Sequence, residues 1–408
     1  MKIIAALTTL CTLTVLAAGC AQQAPIPVQT APTFLTTVPM QTAPPATEPS
    51  LSPAERLLSG MTLREKVGQL FIIRPDALDL SLDAADIDDP HSDGVTTLTG
   101  PLSEALKTYP VGGFVLFSKN ITDPQQLTDF NAQLRDALPI APFLATDEEG
   151  GLVARLANHP AFSLPKFSSP GAVGAQFGPE GAHDMGMTIG GYLREYGFNM
   201  DFAPIADVNT NPRNPVIGTR AFSSDPVQAA ELVRAMADGL WQSGIIPVFK
   251  HFPGHGDTAE DSHRSIAVNP KSESELLECE WLPFLQAEDQ ECIMVGHIAL
   301  PALTGALTPA TLSPSLVTGV LREQLGFQGL IITDSLAMGA ITKNYTPAEA
   351  ALGALNAGCD LLLMPQDLEK AFSGVLSAVE DGSFPEARLD QVVLRILNFK
   401  LIHHIIDG

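Results

Sequence analysis

Residues 245–269 read IIPVFKHFPGHGDTAEDSHRSIAVN, and the chain changes character twice within them. Ile245 to Phe249 is a short apolar run without helical spacing, the pattern of a buried strand. Lys250 and His251 stand where that strand ends. A Gly/Pro-broken loop follows from Phe252 to Thr258, carrying His255 and Asp257, and then Asp261-Ser262-His263. A strand that delivers a cation and an imidazole at its C-terminal end, ahead of a pliable loop with an Asp-x-His pair, has the layout of a barrel active site. In an extended segment Asp261 and His263 project to one side. A carboxylate on one ring nitrogen fixes the tautomer and makes the other nitrogen a usable proton donor. A polar loop without chemistry, or a metal site, fits the same residues.

Working outward, apolar runs recur at Leu70–Ile73, Gly113–Phe117, Phe143–Thr146, Met200–Ile205, Ile245–Phe249, Cys292–Gly296, Leu330–Thr333 and Asp360–Met364. Between them lie helical patterns. Thr62 to Glu65 is a capping box, and Leu127, Phe130, Leu134 and Leu138 repeat at helical spacing. Pro226–Gln242, Pro314–Leu325 and Thr346–Asn356 also read as helices, and Leu389, Val392, Ile396 and Phe399 line one face of a last one. Continuous apolar strands alternating with helices predict a parallel sheet, and eight such units predict an α/β fold, a single (β/α)8 TIM barrel.

Barrel chemistry sits at the C-terminal ends of strands. The polar residues there are Asp147 in D-E-E-G-G with Arg155 beyond it, Asp207, Arg220 in G-T-R-A-F, Lys250, His251, His297, and Asp334 in I-I-T-D-S-L-A-M. Asp, Arg and Lys chelate vicinal hydroxyls by charge-assisted bonds. Asp334 stands at a strand end directly after an apolar run.

The string from Lys250 to His263 resembles the signature K-H-[F/I]-P-G-H-G-D-T-x-x-D-S-H of glycoside hydrolase family 3 β-N-acetylglucosaminidases. The resemblance spans Ala54 to Leu401 and implies a barrel that removes terminal β-linked N-acetylglucosamine with retention of configuration. It implies Asp334 as nucleophile, His263 as acid/base and Asp261 as its partner. It implies that Asp147, Arg155, Arg220, Lys250 and His251 bind the sugar. Leu152 departs from the family's G-G-R-V, where a substrate contact is then missing. No cofactor and no metal are implied. Three other readings stand beside it: another family 3 β-glycosidase such as a β-glucosidase or β-xylosidase, a non-catalytic sugar-binding lipoprotein, and a metal-dependent hydrolase using His251, His255 and His263.

Residues 1–20 carry one cation, Lys2, then an apolar stretch ending A-A-G-C, too short to span a bilayer. This resembles a bacterial lipoprotein signal, in which Cys20 becomes lipidated. Residues 21–50 hold seven prolines and one charge, Glu48, the composition of an extended tether. The expectation is a catalytic body, residues 51–408, held outside the cytoplasm on a membrane by lipid alone, monomeric, and acting on N-acetylglucosamine-containing glycans. A net charge of −23 excludes nucleic acid as partner.

Of five cysteines, three remain after residue 20, too few and too scattered for a disulfide framework or a zinc site, and Cys292 and Cys359 read as core. The 75–109 insertion carries seven aspartates from Asp76 to Asp93 without EF-hand spacing and reads as a solvated loop, with calcium binding as the other reading. The Gly254/Gly256 loop is expected to move and close on substrate.

Overall fold

The computed structural model describes residues 51–407. The signal, the Cys20 lipidation and the tether read in residues 1–50 lie outside them. All eight expected strands are present: β1 Phe71–Ile73, β2 Gly113–Val115, β3 Phe143–Thr146, β4 Met200–Asp201, β5 Ile246–Phe252, β6 Cys292–Val295, β7 Leu330–Thr333 and β8 Leu362–Leu363. Each pairs in parallel with its neighbour in chain order, and β8 pairs with β1. The seam between β7 and β8 closes through an Ile332–Leu361 bridge. Asp360 pins the seam, accepting from the Ile331 amide at 2.8 Å and pairing with Arg322 and Arg395. The barrel is closed.

Every residue of β5 is buried, as are those of β1, β2, β3, β6 and β7. Both faces of the sheet are covered, which is why the strands read as unbroken apolar runs. Each fully buried Phe, Ile or Leu, such as Phe249 or Ile331, contributes about 1.5–3 kcal/mol.

The expected helices are present. Pro226–Gln242 is capped by Asp225, whose side chain accepts from the Gln228 amide, and it buries Leu232, Val233, Met236 and Leu240. The stretch expected over Pro314–Leu325 winds as a π-helix over Ser315–Gln324. Besides short helices such as Pro53–Gly60 and Gly100–Thr108, two longer ones escape a periodicity reading. One, Leu368–Glu380, buries Phe372 and Val375. The other, Pro170–Glu195, is rich in glycine and bends where Gly178 leaves helical geometry ahead of Pro179. Glycine weakens the helical signal, but here it permits close packing. A Cβ on Gly186 would meet the Met236 carbonyl of the neighbouring helix at 2.2 Å.

The aspartate-rich insertion is exposed at Asp83, Asp86, Asp88, Asp89 and Asp93, as expected of a solvated loop, but it is anchored at its start. Asp76 is fully buried and accepts from the Val95 amide at 3.1 Å and Asn120 Nδ2 at 2.8 Å. Lys119 reaches in from the segment after β2 and donates to the carbonyls of Asp86, Ile87 and Asp89, and to Ser92 Oγ. The chain thus supplies its own cation to the oxygens of this loop.

Candidate active site

Three consecutive acids after β3 do three different things, because an extended segment alternates its side chains. Asp147 and Glu149 face the barrel mouth. Glu148 points away, accepting from the amides of Leu156 and Ala157 at 2.9 Å and from the Tyr192 hydroxyl at 2.8 Å. It anchors the return of the small hairpin formed by Glu148–Gly150 and Val153–Ala154.

At the mouth, Lys250 Nζ lies 2.7 Å from Asp147 Oδ1 and 2.7 Å from Glu149 Oε1. Arg155 reaches Asp147 Oδ2 at 3.2 Å. Arg220 clamps Glu149 through two bonds of 2.7 and 2.8 Å and gives a third to the Val216 carbonyl. Burial opposes charge on these groups, but mutual attraction outweighs it. Asp147 and Glu149 are held below the usual carboxylate range, and Lys250 and Arg220 are pushed up. Counting donors shows what remains for a ligand. Among the described residues Arg220 keeps two of its five N–H groups, Lys250 one of three, and the buried Arg155 Nε has no partner. Free donors beside a carboxylate are what a sugar hydroxyl, both donor and acceptor, requires.

Lys250 and His251 are consecutive, and a regular strand would send them to opposite faces. The register with β6 slips between Phe249 and Phe252, and both side chains line the same cavity. His251 Nδ1 donates to Asp207 Oδ2 at 2.8 Å. Asp207 also accepts from the amides of His251 and His255, at 3.2 and 2.6 Å. Burial alone would raise its pKa, yet the two histidines and these amides hold it low.

Asp334 follows β7. Its Oδ1 accepts from the Ser335 amide at 2.7 Å, while its own N–H donates to the Val295 carbonyl at 2.8 Å. Burial pushes its carboxyl up, but the fields of His251 and His297, the Ser335 amide and His263 outweigh it, so the group sits low and stays ionised. His297 is fully buried; its Nδ1 lies 2.7 Å from Thr311 Oγ1 and its Nε2 donates to the Ser335 carbonyl at 2.8 Å. It holds the turn that carries Asp334.

Asp261 and His263 are joined as their spacing predicts, Nδ1 to Oδ1 at 2.9 Å, with the His263 amide on the same oxygen at 2.9 Å. The His263 side chain is two-thirds exposed, so Nε2 is available to a ligand. The cavity, about 610 Å³, is lined by Asp147, Arg155, Arg220, Lys250, His251, His263 and Asp334 together. Asp261 stands behind His263. Among the described residues no three His, Cys, Asp or Glu side chains converge as a metal-binding set. His255 is instead bonded on both nitrogens, to Thr258 Oγ1 at 2.6 Å and Ser262 Oγ at 3.0 Å.

Sequence reasoning missed four contributors, Glu149, Phe117, Asp88 and Pro90. Glu149, which clamps both Arg220 and Lys250, was signalled only by its alternation with Asp147. Phe117 lines the cavity between the guanidinium groups of Arg74 and Arg155, 5.3 and 5.2 Å from its centroid. Asp88 and Pro90 of the insertion form part of the wall. Leu152, the departure noted above, stands 83% exposed at the hairpin tip beside Val153.

The loop's glycines also serve close packing. A Cβ on Gly256 would lie 1.8 Å from the Val208 carbonyl, and the Asn211 amide donates to the Gly256 carbonyl. Asp257 is held by Thr210 at 2.9 Å and faces Lys271 at 3.4 Å. The first half of the loop is packed down, with glycine allowing the close approach.

Comparison with known proteins agrees with this geometry. Residues 62–399 match the glycosyl hydrolase family 3 N terminal domain. A β-hexosaminidase A of Pseudoalteromonas piscicida is 33% identical over 335 residues, 75% of this chain and 56% of that protein. A β-hexosaminidase of Xylella fastidiosa is 35% identical over 290 residues, 69% of this chain and 84% of that one. The solved structure of a glycoside hydrolase family 3 β-N-acetylglucosaminidase from a Paenibacillus species superposes with a TM-score of 0.76 at 34% identity, covering 86% of this chain and 64% of that one. On its closed barrel, its mouth residues and these relatives, the chain belongs to glycoside hydrolase family 3.

Proposed function

We propose that the protein is a retaining exo-β-N-acetylglucosaminidase that hydrolyses terminal, non-reducing β-linked N-acetylglucosamine. One observation carries this reading: a low-pKa carboxylate, Asp334, and a carboxylate-oriented imidazole, His263, border the same cavity as the Asp147–Arg155–Lys250–Glu149–Arg220 cluster. The names of the relatives support the choice of sugar.

In the first step an Asp334 oxygen bonds to the anomeric carbon and the glycosidic C–O bond breaks. The bonding pair leaves with the aglycone oxygen, which takes the proton from His263 Nε2. In the second, His263 accepts a proton from water, whose oxygen displaces Asp334 and restores the original configuration. Asp261, accepting from Nδ1–H, keeps Nε2 turned to the reacting oxygen and stabilises the charged ring. The cluster at the mouth holds the ring hydroxyls, supplying the orientation on which near-attack geometry depends.

The test is release of 4-nitrophenol from 4-nitrophenyl N-acetyl-β-glucosaminide. The expected outcome is turnover by the parent, near-complete loss in Asp334→Ala, and a loss in His263→Ala of about 10²–10⁴-fold, the usual worth of general acid–base catalysis. Full activity in Asp334→Ala would sink the mechanism. Because Asp334 is held low, kcat/KM on its acid side should fall only below the ordinary carboxylate range.

For natural substrates the reading extends to cell-wall muropeptides or chito-oligosaccharides. The protein would act as a monomer outside the cytoplasm, on a lipid attached at Cys20. Residues 1–20 and the proline-rich 21–50 support that placement. Fatty-acid labelling that disappears in Cys20→Ala would test it.

A further inference from the structure

The two halves of the loop that carries the dyad are held very differently. The half up to Thr258 is packed against the barrel: His255 donates its amide to Asp207 at 2.6 Å, and Asn214 Nδ2 donates to the His255 and Thr258 carbonyls at 2.7 and 3.1 Å. The half after Thr258 carries the acid/base residue and has few ties. One is the His255–Ser262 bond at 3.0 Å. Another is a long contact of 3.4 Å from the Val268 amide to Glu260. The segment re-enters the fold where Ala267–Val268 pairs in parallel with Ile298–Ala299, and two further ties come from one place. The His263 carbonyl accepts from the Gly339 amide at 3.1 Å, and the Arg264 carbonyl accepts from Lys343 Nζ at 2.6 Å.

Gly339 and Lys343 belong to the segment that leaves Asp334. Gly339 opens the short helix Gly339–Thr342, five residues after the nucleophile, and Lys343 caps its end. The approach at Gly339 is tight: a Cβ there would lie 2.8 Å from the His263 carbonyl oxygen and 3.0 Å from that of Arg264. No side chain fits that gap without pushing the loop outward. The acid/base residue is therefore berthed on the backbone that follows the nucleophile.

We propose that Gly339 and Lys343 are positioning residues, which dock the His263 segment on the nucleophile's loop and so set the distance between proton donor and nucleophile. This rests on the roles given above to Asp334 and His263. Its physical basis is that a proton donor must come within about 2.6–3.2 Å of the leaving oxygen. An undocked, two-thirds exposed His263 has little else to hold it there. The Asp261–His263 bond orients the ring but travels with the loop, so it does not fix the ring's distance from Asp334. Lys343 is exposed, and among the described residues the one hydrogen bond of its side chain is to the loop, so its removal leaves the fold intact.

The experiment compares Lys343→Ala, Lys343→Arg and Gly339→Ala with the parent in two ways. The first is kcat/KM for N-acetylglucosaminides of graded leaving group, from 2,4-dinitrophenol, which departs without a proton, to the second sugar of N,N′-diacetylchitobiose, which needs one. Lys343→Ala and Gly339→Ala should lower the chitobiose value about tenfold, part of the roughly 10²–10⁴-fold that acid catalysis supplies, and the dinitrophenyl value far less. Lys343→Arg, which can still donate to the Arg264 carbonyl, should restore most of the loss.

The second is the rate of tryptic cleavage after Arg264, which should rise in Lys343→Ala and Gly339→Ala. Equal losses on both substrates would overturn the positioning role, and an unchanged tryptic rate would overturn the docking. A parent inactive on every glycoside would overturn the hydrolase reading and, with it, the catalytic purpose of the dock. The tryptic result would still decide whether the dock exists.

Discussion

Two lysines are buried at opposite ends of this barrel and meet opposite fates. Lys250, at the C-terminal end of β5, lies between Asp147 and Glu149, and although burial pulls its pKa down the two carboxylates push it up. Lys400, on the last helix, Glu386–Ile402, enters beneath the N-terminal ends of the strands. It donates to Gln69 Oε1 at 2.8 Å and the Gly112 carbonyl at 3.0 Å, and its ammonium stands 4.8 Å from the Phe143 ring centroid. Among the described residues no carboxylate faces it, and burial lowers its pKa to about 7. The same side chain is a fixed charge at one end and a titrating one at the other. The difference follows the polarity of the fold, in which the C-terminal face hosts chemistry and the N-terminal face stability.

The sharpest way to break the comparison is to remove the paired lysine. Lys250→Met leaves Asp147 and Glu149 facing each other with only Arg155 and Arg220 to compensate. Breaking a buried pair by removing one partner costs about 3–5 kcal/mol, so a large drop in the urea midpoint is expected. Misplacing the sugar should cost at least about 10²-fold in kcat/KM. Glu149→Gln should cost less in both, because Asp147 still neutralises Lys250; activity at the parent's level would show that the Arg220 clamp does not shape the sugar site.

That contrast also marks what the sequence could and could not disclose. Lys250 and His251 were legible because a strand buried on both faces reads as an apolar run, and the next residues must emerge at its end. The Asp261–His263 pair was legible because its contact is local. Glu149 was not, since nothing in D-E-E says which acids face inward until the chain is extended there. The partners of these groups lie far along the chain, 71 residues between Arg220 and Glu149 and 331 between Lys400 and Gln69. Local patterning carries no information about such contacts. The helix Pro170–Glu195 hid for a related reason: its glycines answer to a neighbouring helix rather than to helix propensity.

The unpaired lysine can be tested through pH. In the folded chain Lys400 loses its proton near pH 7, whereas in the unfolded chain it keeps it to roughly 10.4. Between those values the unfolded state binds more protons, so folding stability rises with pH, by up to about 1.4 kcal/mol per pH unit. Below about 7 both states are protonated and the full penalty of burying the charge stands. Urea unfolding of the parent and of Lys400→Met at pH 7 and pH 9 should show a rise in the parent that the variant lacks. Gln69→Glu, which gives Lys400 the kind of partner Lys250 has, should flatten the same rise. Parallel pH dependence in all three would show that Lys400 is charged throughout.

Lys119 stands between these two cases and yields the smallest expected effect. Its side chain is almost as buried, but its ammonium is met mainly by the carbonyls of Asp86, Ile87 and Asp89, with Ser92 Oγ at 3.0 Å and the Asp76 carboxylate at 3.5 Å. These oxygens belong to the insertion that supplies Asp88 and Pro90 to the cavity wall. Lys119→Met should therefore loosen the insertion locally, by about 1.5–3 kcal/mol, the scale of a charged hydrogen bond. Amide exchange at Val95, whose N–H is held by Asp76, should speed up accordingly. Turnover of the 4-nitrophenyl substrate should change little, because the groups assigned to the sugar ring come from the ends of β3, β5 and β7 and the loop after β4. Substrates with a second sugar reach further out, and for them KM should rise. If Val95 exchange is unaffected, the insertion is organised by Asp76 and Asn120 alone, and a buried lysine met chiefly by carbonyls contributes no more to local order than a neutral side chain of its length.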